Sequence, residues 1–140
     1  MRVDSVRLGE HNTLMDPDCE KDYCAEPVQD FKIVSVIFHE DYNNPTYRND
    51  IAIIRLNRPV IYNEFVMPIC MPHGSLLGKD FTGETAEVAG WGIYDMEQPT
   101  TSTMLQTVML PIQEPRKCKE SFERMIAISD FQICAGGIIG

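Results

Sequence analysis

An aspartate stands at the start of an apolar run in the stretch "TYRNDIAIIRL", residues 46–56. Asp50 precedes the run 51–54, whose β-branched content predicts a strand buried on both faces. An ionised carboxylate buried without donors costs several kcal/mol, so Asp50 is either held by specific partners or lies at the exposed end of the strand. Two interpretations follow: a turn-capping residue that starts the strand, or the orienting carboxylate of a catalytic triad.

The acidic segment 10–30 is a second group of candidate residues. It holds seven carboxylates against one cation, Lys21. The seven are Glu10, Asp16, Asp18, Glu20, Asp22, Glu26 and Asp30. Carboxylates at this density are typical of a site for a hard metal ion and equally of a solvated loop. An EF-hand is excluded because, counted from Asp16, its glycine position holds Lys21 and its twelfth position holds Pro27.

Five cysteines form the third group: Cys19, Cys24, Cys70, Cys118 and Cys134. They include no C-x-x-C pair, and no Cys/His quartet with zinc spacing occurs in the sequence. Disulfides are therefore favoured, and with them an oxidising compartment. Because the count is odd, one cysteine is free or has its partner outside this chain.

Several short elements must position these residues. Apolar runs such as "VDSVRLG", "DFKIVSVIFH" and "TAEVAGWG" are separated by turn-forming residues, which predicts strands. The alternation in residues 32–38 predicts a strand with one face mostly buried. The segment 113–125 is the one predicted helix, because Pro115 suits a first helical turn. The polar, glycine-bearing segment 71–84 is the predicted crossing between two halves.

Composition limits the class of protein. The chain has 140 residues, 44% of them hydrophobic, with nine glycines and nine prolines, which favours one all-β domain. A net charge of -9 without a basic stripe excludes a nucleic-acid partner. No apolar run is long enough for a transmembrane helix, so no membrane partner is expected. The N-terminal "MRVDSVRLGE" has no apolar signal segment although the cysteines favour export, so we expect a piece of a longer secreted, extracellular protein.

Five segments together resemble the chymotrypsin-like serine endopeptidases. They are "VRLGEHN", "NDIAIIRL", "ICMP", "VAGWG" and "QICAGG", in that family's order and over nearly the whole chain. The stretches "DPDCEKDYCAEPVQD" and "RPVIYNEFVMPICMP" are similar to the arthropod clip-domain proteases of extracellular immune and developmental cascades. The resemblance implies an all-β, trypsin-like double β-barrel with one short helix. This chain would hold the rest of the first barrel at 1–70, the crossing at 71–84 and the start of the second barrel at 85–140.

The resemblance assigns Asp50 as the triad aspartate, which accepts a hydrogen bond from a histidine. The family's histidine lies upstream in a segment like "TAAHC", and its serine lies downstream in "GDSGGP"; neither motif occurs in this sequence. His11, His39 and His73 are expected on the surface. The parent protein would be a serine endopeptidase needing no cofactor for its chemistry, and this chain alone is expected to be inactive.

Further expectations follow from the same resemblance. Cys19 would pair with Cys24 and Cys118 with Cys134, while the partner of Cys70 would lie outside the chain. Glu10, Asn12 and Glu20 resemble the family's structural calcium site. The implied partners are a protein substrate, either a zymogen or another cascade protein, and serpin-type inhibitors.

Two other side-chain types are expected to be structural. Trp91 would fill the seam between the halves, and the methionines would fill the core. Two further functions remain open. One is a non-catalytic serine protease homologue that acts as a binding or cofactor protein, and the other is a calcium-dependent extracellular interaction module.

Overall fold

The computed structural model describes residues 3–95, 97 and 99–137. The chain divides into two compact units. The first comprises the described residues of Met1–Glu40, Asp50–Ile69 and Trp91–Gln106, and the second those of Asp41–Asn49, Cys70–Gly90 and Thr107–Gly140. The segment 91–106 therefore groups with the first unit, and the segment 41–49 with the second. The barrel boundaries at 1–70 and 85–140 stay a prediction.

Short strands dominate the described part of the chain. In order, the elements are β1 Ser5–Leu8, β2 Cys19–Glu20, β3 Tyr23–Cys24, β4 Gln29–Phe38, β5 Ala52–Leu56, β6 Thr85–Gly90, β7 Ile93–Asp95, β8 Thr100–Thr101, β9 Gln106–Pro111 and the helix α1 Pro115–Phe122. A 3-10 turn lies at Gly74–Leu76. The predicted all-β class with one short helix is confirmed. Within the described residues no sheet closes into a barrel.

The largest sheet belongs to the first unit. Its order is β1-β4-β5, with antiparallel pairing on both sides of the central strand β4. Ile37 pairs with Ile53 across β4 and β5, and the register is irregular between Ile33 and Ser35. Runs of β-branched residues fit such a pleated surface, and an irregularity of this kind bends a strand locally. β5 lies at the edge of the sheet.

The buried core of the first unit is small. Phe31 in β4 is 2% exposed and Val66 is 8% exposed. The guanidinium of Arg58 lies 4.4 Å from the centre of the Phe31 ring, so a cation–π contact covers this residue. Gly9 has a φ of +79°, and a Cβ there would come within 3.1 Å of Val66 Cγ2. Glycine is therefore needed where the chain leaves β1 beside the core.

Several apolar side chains of β4 and β5 are exposed, and two expectations from the sequence are therefore wrong. Ile51 is 64% exposed and Ile53 is 69% exposed, which means that the run 51–54 is not buried on both faces. In β4, no side chain of residues 32–38 is buried, and Val34 and Ile37 are 61% and 60% exposed, so neither face of that stretch is mostly buried. An apolar pattern shows which side chains suit a second layer, but no described residue covers these positions.

The second unit is built around the helix. Pro115 occupies the first turn of α1, where its missing N–H has no helical partner to lose. Cys118 is 5% exposed and forms a disulfide with Cys134. The Gln113 N–H donates to the Cys134 carbonyl (2.9 Å), which holds the chain after the helix against the chain before it.

The methionines do not fill the core. All those of the described residues are exposed, by 44% to 72%. They are Met15, Met67, Met71, Met104, Met109 and Met125. The expectation of core filling is therefore wrong, because the described chain offers these flexible side chains too little surrounding surface to enclose them.

Candidate functional site

Asp50 lies two residues before β5, which begins at Ala52. Pairing with β4 extends almost to this position, because the His39 backbone N–H donates to the Ile51 carbonyl (3.1 Å). Before Asp50 the chain turns through positive φ angles at Asn43, Tyr47 and Asn49. Asparagine tolerates this left-handed conformation better than most residues, so the loop sequence suits the tight turn. Asp50 is thereby held at the N-terminal end of an edge strand.

The side chain of Asp50 is exposed. Within the described ranges no group donates a hydrogen bond to its carboxylate. The turn-capping interpretation requires such a bond from a neighbouring backbone N–H, so the described residues give it no support. The carboxylate is open to accept an N–H from another group, and its catalytic role stays a prediction.

The three histidines are all exposed. His39 follows the end of β4, and His73 precedes the 3-10 turn. His11 contributes its backbone carbonyl to contacts within the first unit. These positions agree with the surface locations expected from the sequence.

Two of the acidic side chains hold the segment 10–30 in place. The N–H groups of His11 and Asn12 donate to the Asp18 carboxylate at 2.9 and 3.1 Å. The Val28 N–H donates to Asp16 Oδ1 at 3.0 Å. Carboxylates that accept backbone N–H bonds satisfy donors that a loop would otherwise expose. These two acids are therefore structural.

An ion-pair network joins the start of the acidic segment to its end. Arg7 and Asp30 are directly opposite each other in β1 and β4 and form a bidentate pair, with N–O distances of 2.8 and 2.9 Å. Arg7 Nη1 also donates to Glu10 Oε2 at 3.2 Å. The hydrogen bond from Arg7 lowers the pKa of Asp30 below its ordinary value, and the hydrogen bonds to Asp30 and Glu10 raise the pKa of Arg7.

The proposed calcium ligands fit that role unequally. The Glu10 side chain is only 7% exposed, and its Oε1 is buried without a hydrogen-bond partner, as a ligand oxygen would be. Asn12 Oδ1 accepts the Leu14 N–H at 3.3 Å, and Glu20 is exposed in β2. In the described part of the chain no three His, Cys, Asp or Glu residues converge as a metal site. Calcium binding stays a prediction.

The structure pairs Cys19 with Cys24, which face each other in the β2–β3 hairpin, and Cys118 with Cys134. These are the two bridges that the family resemblance implies. Cys70 is free and exposed. Its thiol is accessible to a partner cysteine.

Trp91 ties a distant segment to the acidic one. Its Nε1–H donates to the His11 carbonyl at 3.1 Å, and the Leu105 N–H donates to the same carbonyl at 2.7 Å. The Thr13 N–H also donates to the Thr103 carbonyl at 2.9 Å. The sequence alone did not reveal this association, because the joined residues are about 80 to 90 positions apart. The expected role of Trp91 in a seam between halves stays a prediction.

A group of exposed apolar side chains beside the hairpin was also missed. Tyr23 and Phe65 form a tilted ring pair with centroids 6.2 Å apart, and Met15 and Met104 line the same groove. No local pattern marks them, because they come from three separate stretches of sequence.

Within the described ranges, no helix is long and apolar enough to cross a membrane.

Residues 4–140 match the family model described as Trypsin, and the chain belongs to this family. Among curated relatives it is 38% identical to the CLIP domain-containing serine protease HP8 of Bombyx mori over 143 residues, covering 99% of this chain and 38% of that protein. It is likewise 38% identical to the Spaetzle-processing enzyme of Drosophila melanogaster over 144 residues, covering 97% of this chain and 36% of that protein.

Among solved structures, the Drosophila Grass clip serine protease of the Toll pathway is similar, with a TM-score of 0.79 at 32% identity. The match covers 96% of this chain and 38% of that one. The trypsin-like fold expected from the sequence is confirmed, as is the similarity to clip-domain serine proteases of arthropods. The chain spans less than two fifths of the length of the two curated relatives above and of the Grass structure.

Proposed function

We propose that this chain is part of a secreted serine endopeptidase of an extracellular cascade, in which Asp50 orients the catalytic histidine. The observation that carries the proposal is the state of Asp50 in a chain of the trypsin family: an exposed carboxylate directly ahead of β5, with no donor among the described residues. Relatives named as serine proteases support the same chemistry.

The proposed role of Asp50 follows from its charge. Its carboxylate accepts the N–H of an imidazole ring, which fixes the ring's tautomer and orientation. It then stabilises the imidazolium that forms when the histidine takes the proton of a nucleophilic serine. The serine attacks the peptide carbonyl, and an acyl-enzyme forms and is hydrolysed. This chain would supply the orienting carboxylate, and other segments of the protein would supply the base and the nucleophile.

The first test is to read the transcript on both sides of this sequence. A histidine in an "AAHC"-like segment upstream and a serine in a "GDSGGP"-like segment downstream are the expected findings. A replaced serine would favour the alternative, a non-catalytic homologue that acts as a binding or cofactor protein. The absence of both segments would contradict the endopeptidase proposal.

The second test measures activity. In the full-length protein, activated and assayed on a small chromogenic peptide, Asp50→Asn should lower kcat by about 10⁴, the loss seen for this change in the template triad. Asp22→Asn is the matched control, since it removes the same charge from an exposed position of the acidic segment. It should leave kcat within about twofold of the parent value. An Asp50→Asn protein with parent activity would exclude the proposed role.

The partners and location belong to the same proposal. The substrate is a protein, either a zymogen or another cascade component, and serpin-type inhibitors are the expected regulators. Two disulfides are consistent with an oxidising, extracellular location. The exposed Cys70 would form a bridge to another segment of the protein.

A structural calcium ion is a separate part of the proposal. Glu10 would provide a carboxylate oxygen from its buried Oε1, and Asn12 and Glu20 would complete the set with loop carbonyls. The ion would hold the acidic segment and take no part in peptide-bond hydrolysis.

A further inference from the structure

The disulfide-linked hairpin β2–β3 is bordered by a groove of about 540 Å³, which we call the hairpin groove. Its main lining side chains are Met15, Asp18, Glu20, Tyr23, Phe65 and Met104. All of them belong to the first unit. The volume lies in the range of pockets that hold a few side chains of a ligand.

The floor of the hairpin groove is apolar and accessible. Tyr23 is 61% exposed, Met104 47%, Met15 44% and Phe65 37%. The Tyr23 and Phe65 rings, whose planes are tilted by 47°, form one wall. Aromatic and methionine side chains exposed together are the residue types that anchor protein partners, and methionine adapts to different apolar shapes.

The lining of the groove also contains carboxylates. Asp18 and Glu20 are among its residues. A second groove of about 560 Å³ shares Tyr23 and Phe65 with the first and adds Glu26 and Glu64. No lysine or arginine is among the lining residues of either groove. A segment that docks here therefore meets both apolar side chains and carboxylates.

The groove is held in shape before any partner arrives. The Cys19–Cys24 disulfide closes the hairpin on one side. On the other side, Asp18 accepts the N–H groups of His11 and Asn12, and Asn12 forms an antiparallel bridge with Met104. A preformed surface loses less conformational entropy on binding than a loop that must order first.

We propose that the hairpin groove docks a basic, apolar segment of a protein partner. Leucine-sized or aromatic side chains of the partner would lie on Tyr23, Phe65 and Met104, and its arginines or lysines would face Glu20 and Glu26. Charge complementarity selects this occupant, because the net charge of the chain is -9 and the lining of the two grooves includes carboxylates and no lysine or arginine. The proposal does not involve Asp50, so it stands or falls independently of peptide-bond hydrolysis.

The test is the fluorescence anisotropy of a labelled peptide of alternating arginine and leucine, titrated with the full-length protein in EDTA at physiological ionic strength. Binding is expected, and the double variant Glu20→Gln/Tyr23→Ser should weaken it by about tenfold or more. The matched control is Glu87→Gln/Tyr47→Ser, which removes one carboxylate and one exposed ring from the second unit. It should change the affinity by less than about twofold.

Further measurements distinguish specific binding in the hairpin groove from nonspecific electrostatic attraction of a basic peptide. A peptide of alternating arginine and serine should bind at least about tenfold more weakly, since it lacks the apolar anchors. The charge-only variant Glu20→Gln/Glu26→Gln keeps Tyr23 and should also weaken binding, so the test does not depend on the hairpin tolerating Tyr23→Ser. Equal binding of both peptides, equal losses in the control variant, or no binding would overturn the proposal. A dimer that is seen by sedimentation and is dissociated by the groove variants would also overturn the proposal. The occupant of the groove would then be a second copy of the protein.

Discussion

The His39 backbone N–H donates to the Ile51 carbonyl at 3.1 Å, and this bond sets the phase of the β4–β5 ladder as far as the irregularity between Ile33 and Ser35. Hydrogen-bonded and non-hydrogen-bonded pairs alternate in an antiparallel ladder, so Ile53 also bonds toward β4. The N–H and C=O groups of Ala52 and Ile54 consequently point to the opposite edge. No strand of the described residues pairs with that edge.

An open, apolar edge strand predicts self-association of this chain. Expressed alone, it should aggregate or remain loosely folded, and Ile53→Lys should reduce light scattering because a lysine on the edge disfavours pairing with another copy. Ile69→Lys is the control, since Ile69 is 84% exposed and lies outside the strands. Equal reduction by both variants, or a sharp and reversible melting transition of the parent chain, would contradict this prediction.

The core of the first unit depends on Phe31. Phe31→Ala should lower the free energy of unfolding by about 3 to 5 kcal/mol, because it removes a buried ring and leaves a cavity. Phe131→Ala makes the same chemical change at a residue that is 95% exposed, and it should stay within about 0.5 kcal/mol of the parent. Urea denaturation of the full-length protein measures both changes. Similar losses for the two variants would show that Phe31 is not a core residue.

The two disulfides should contribute unequally to the free energy of unfolding. Cys118 and Cys134 are 16 residues apart, whereas Cys19 and Cys24 are 5 apart. A longer loop loses more entropy on closure in the unfolded chain. The expected contribution to the free energy of unfolding is about 3 kcal/mol for Cys118–Cys134 and about 2 kcal/mol for Cys19–Cys24. Paired Cys→Ala variants compared by urea denaturation test this order. A larger loss from opening the short hairpin bridge would contradict the loop-entropy explanation.

The ion pair between Arg7 and Asp30 should make stability depend on pH. Because the folded-state pKa of Asp30 lies below its ordinary value of 3.8, the stabilising contribution is present above that value and is lost as the pH falls through the folded-state pKa. In the full-length protein, Asp30→Asn should therefore lower the melting temperature at neutral pH, and the difference from the parent should vanish in acid. The exposed Asp22→Asn is the control and should show no such difference. A difference that persists in acid would exclude this ion pair as its cause.

Calcium should stabilise the acidic segment if Glu10 Oε1 is a ligand. We expect millimolar calcium to raise the melting temperature of the full-length protein, as for extracellular sites of modest affinity, and Glu10→Gln to abolish the increase. Magnesium at the same concentration controls for screening of the negative charges. No response of the full-length protein to millimolar calcium would discard the site.

Local features of the sequence determined the secondary structure and the family of this protein. The alternating apolar runs predicted the strands, Pro115 marked the start of the helix, and the ordered motifs indicated the trypsin family. These features could be predicted because strand and helix preferences depend on neighbouring residues, and because a motif is a fixed spacing along the chain.

Tertiary structure alone decided which side chains are covered and which residues meet. It left Ile53 on an open edge, paired Asp30 with Arg7, and assembled the hairpin groove from Met15, Tyr23 and Met104. Burial depends on surfaces supplied by distant segments, and an apolar pattern records only a side chain's suitability for burial. Contacts between residues separated by dozens of positions arise only when the chain closes those loops, and no local pattern encodes them.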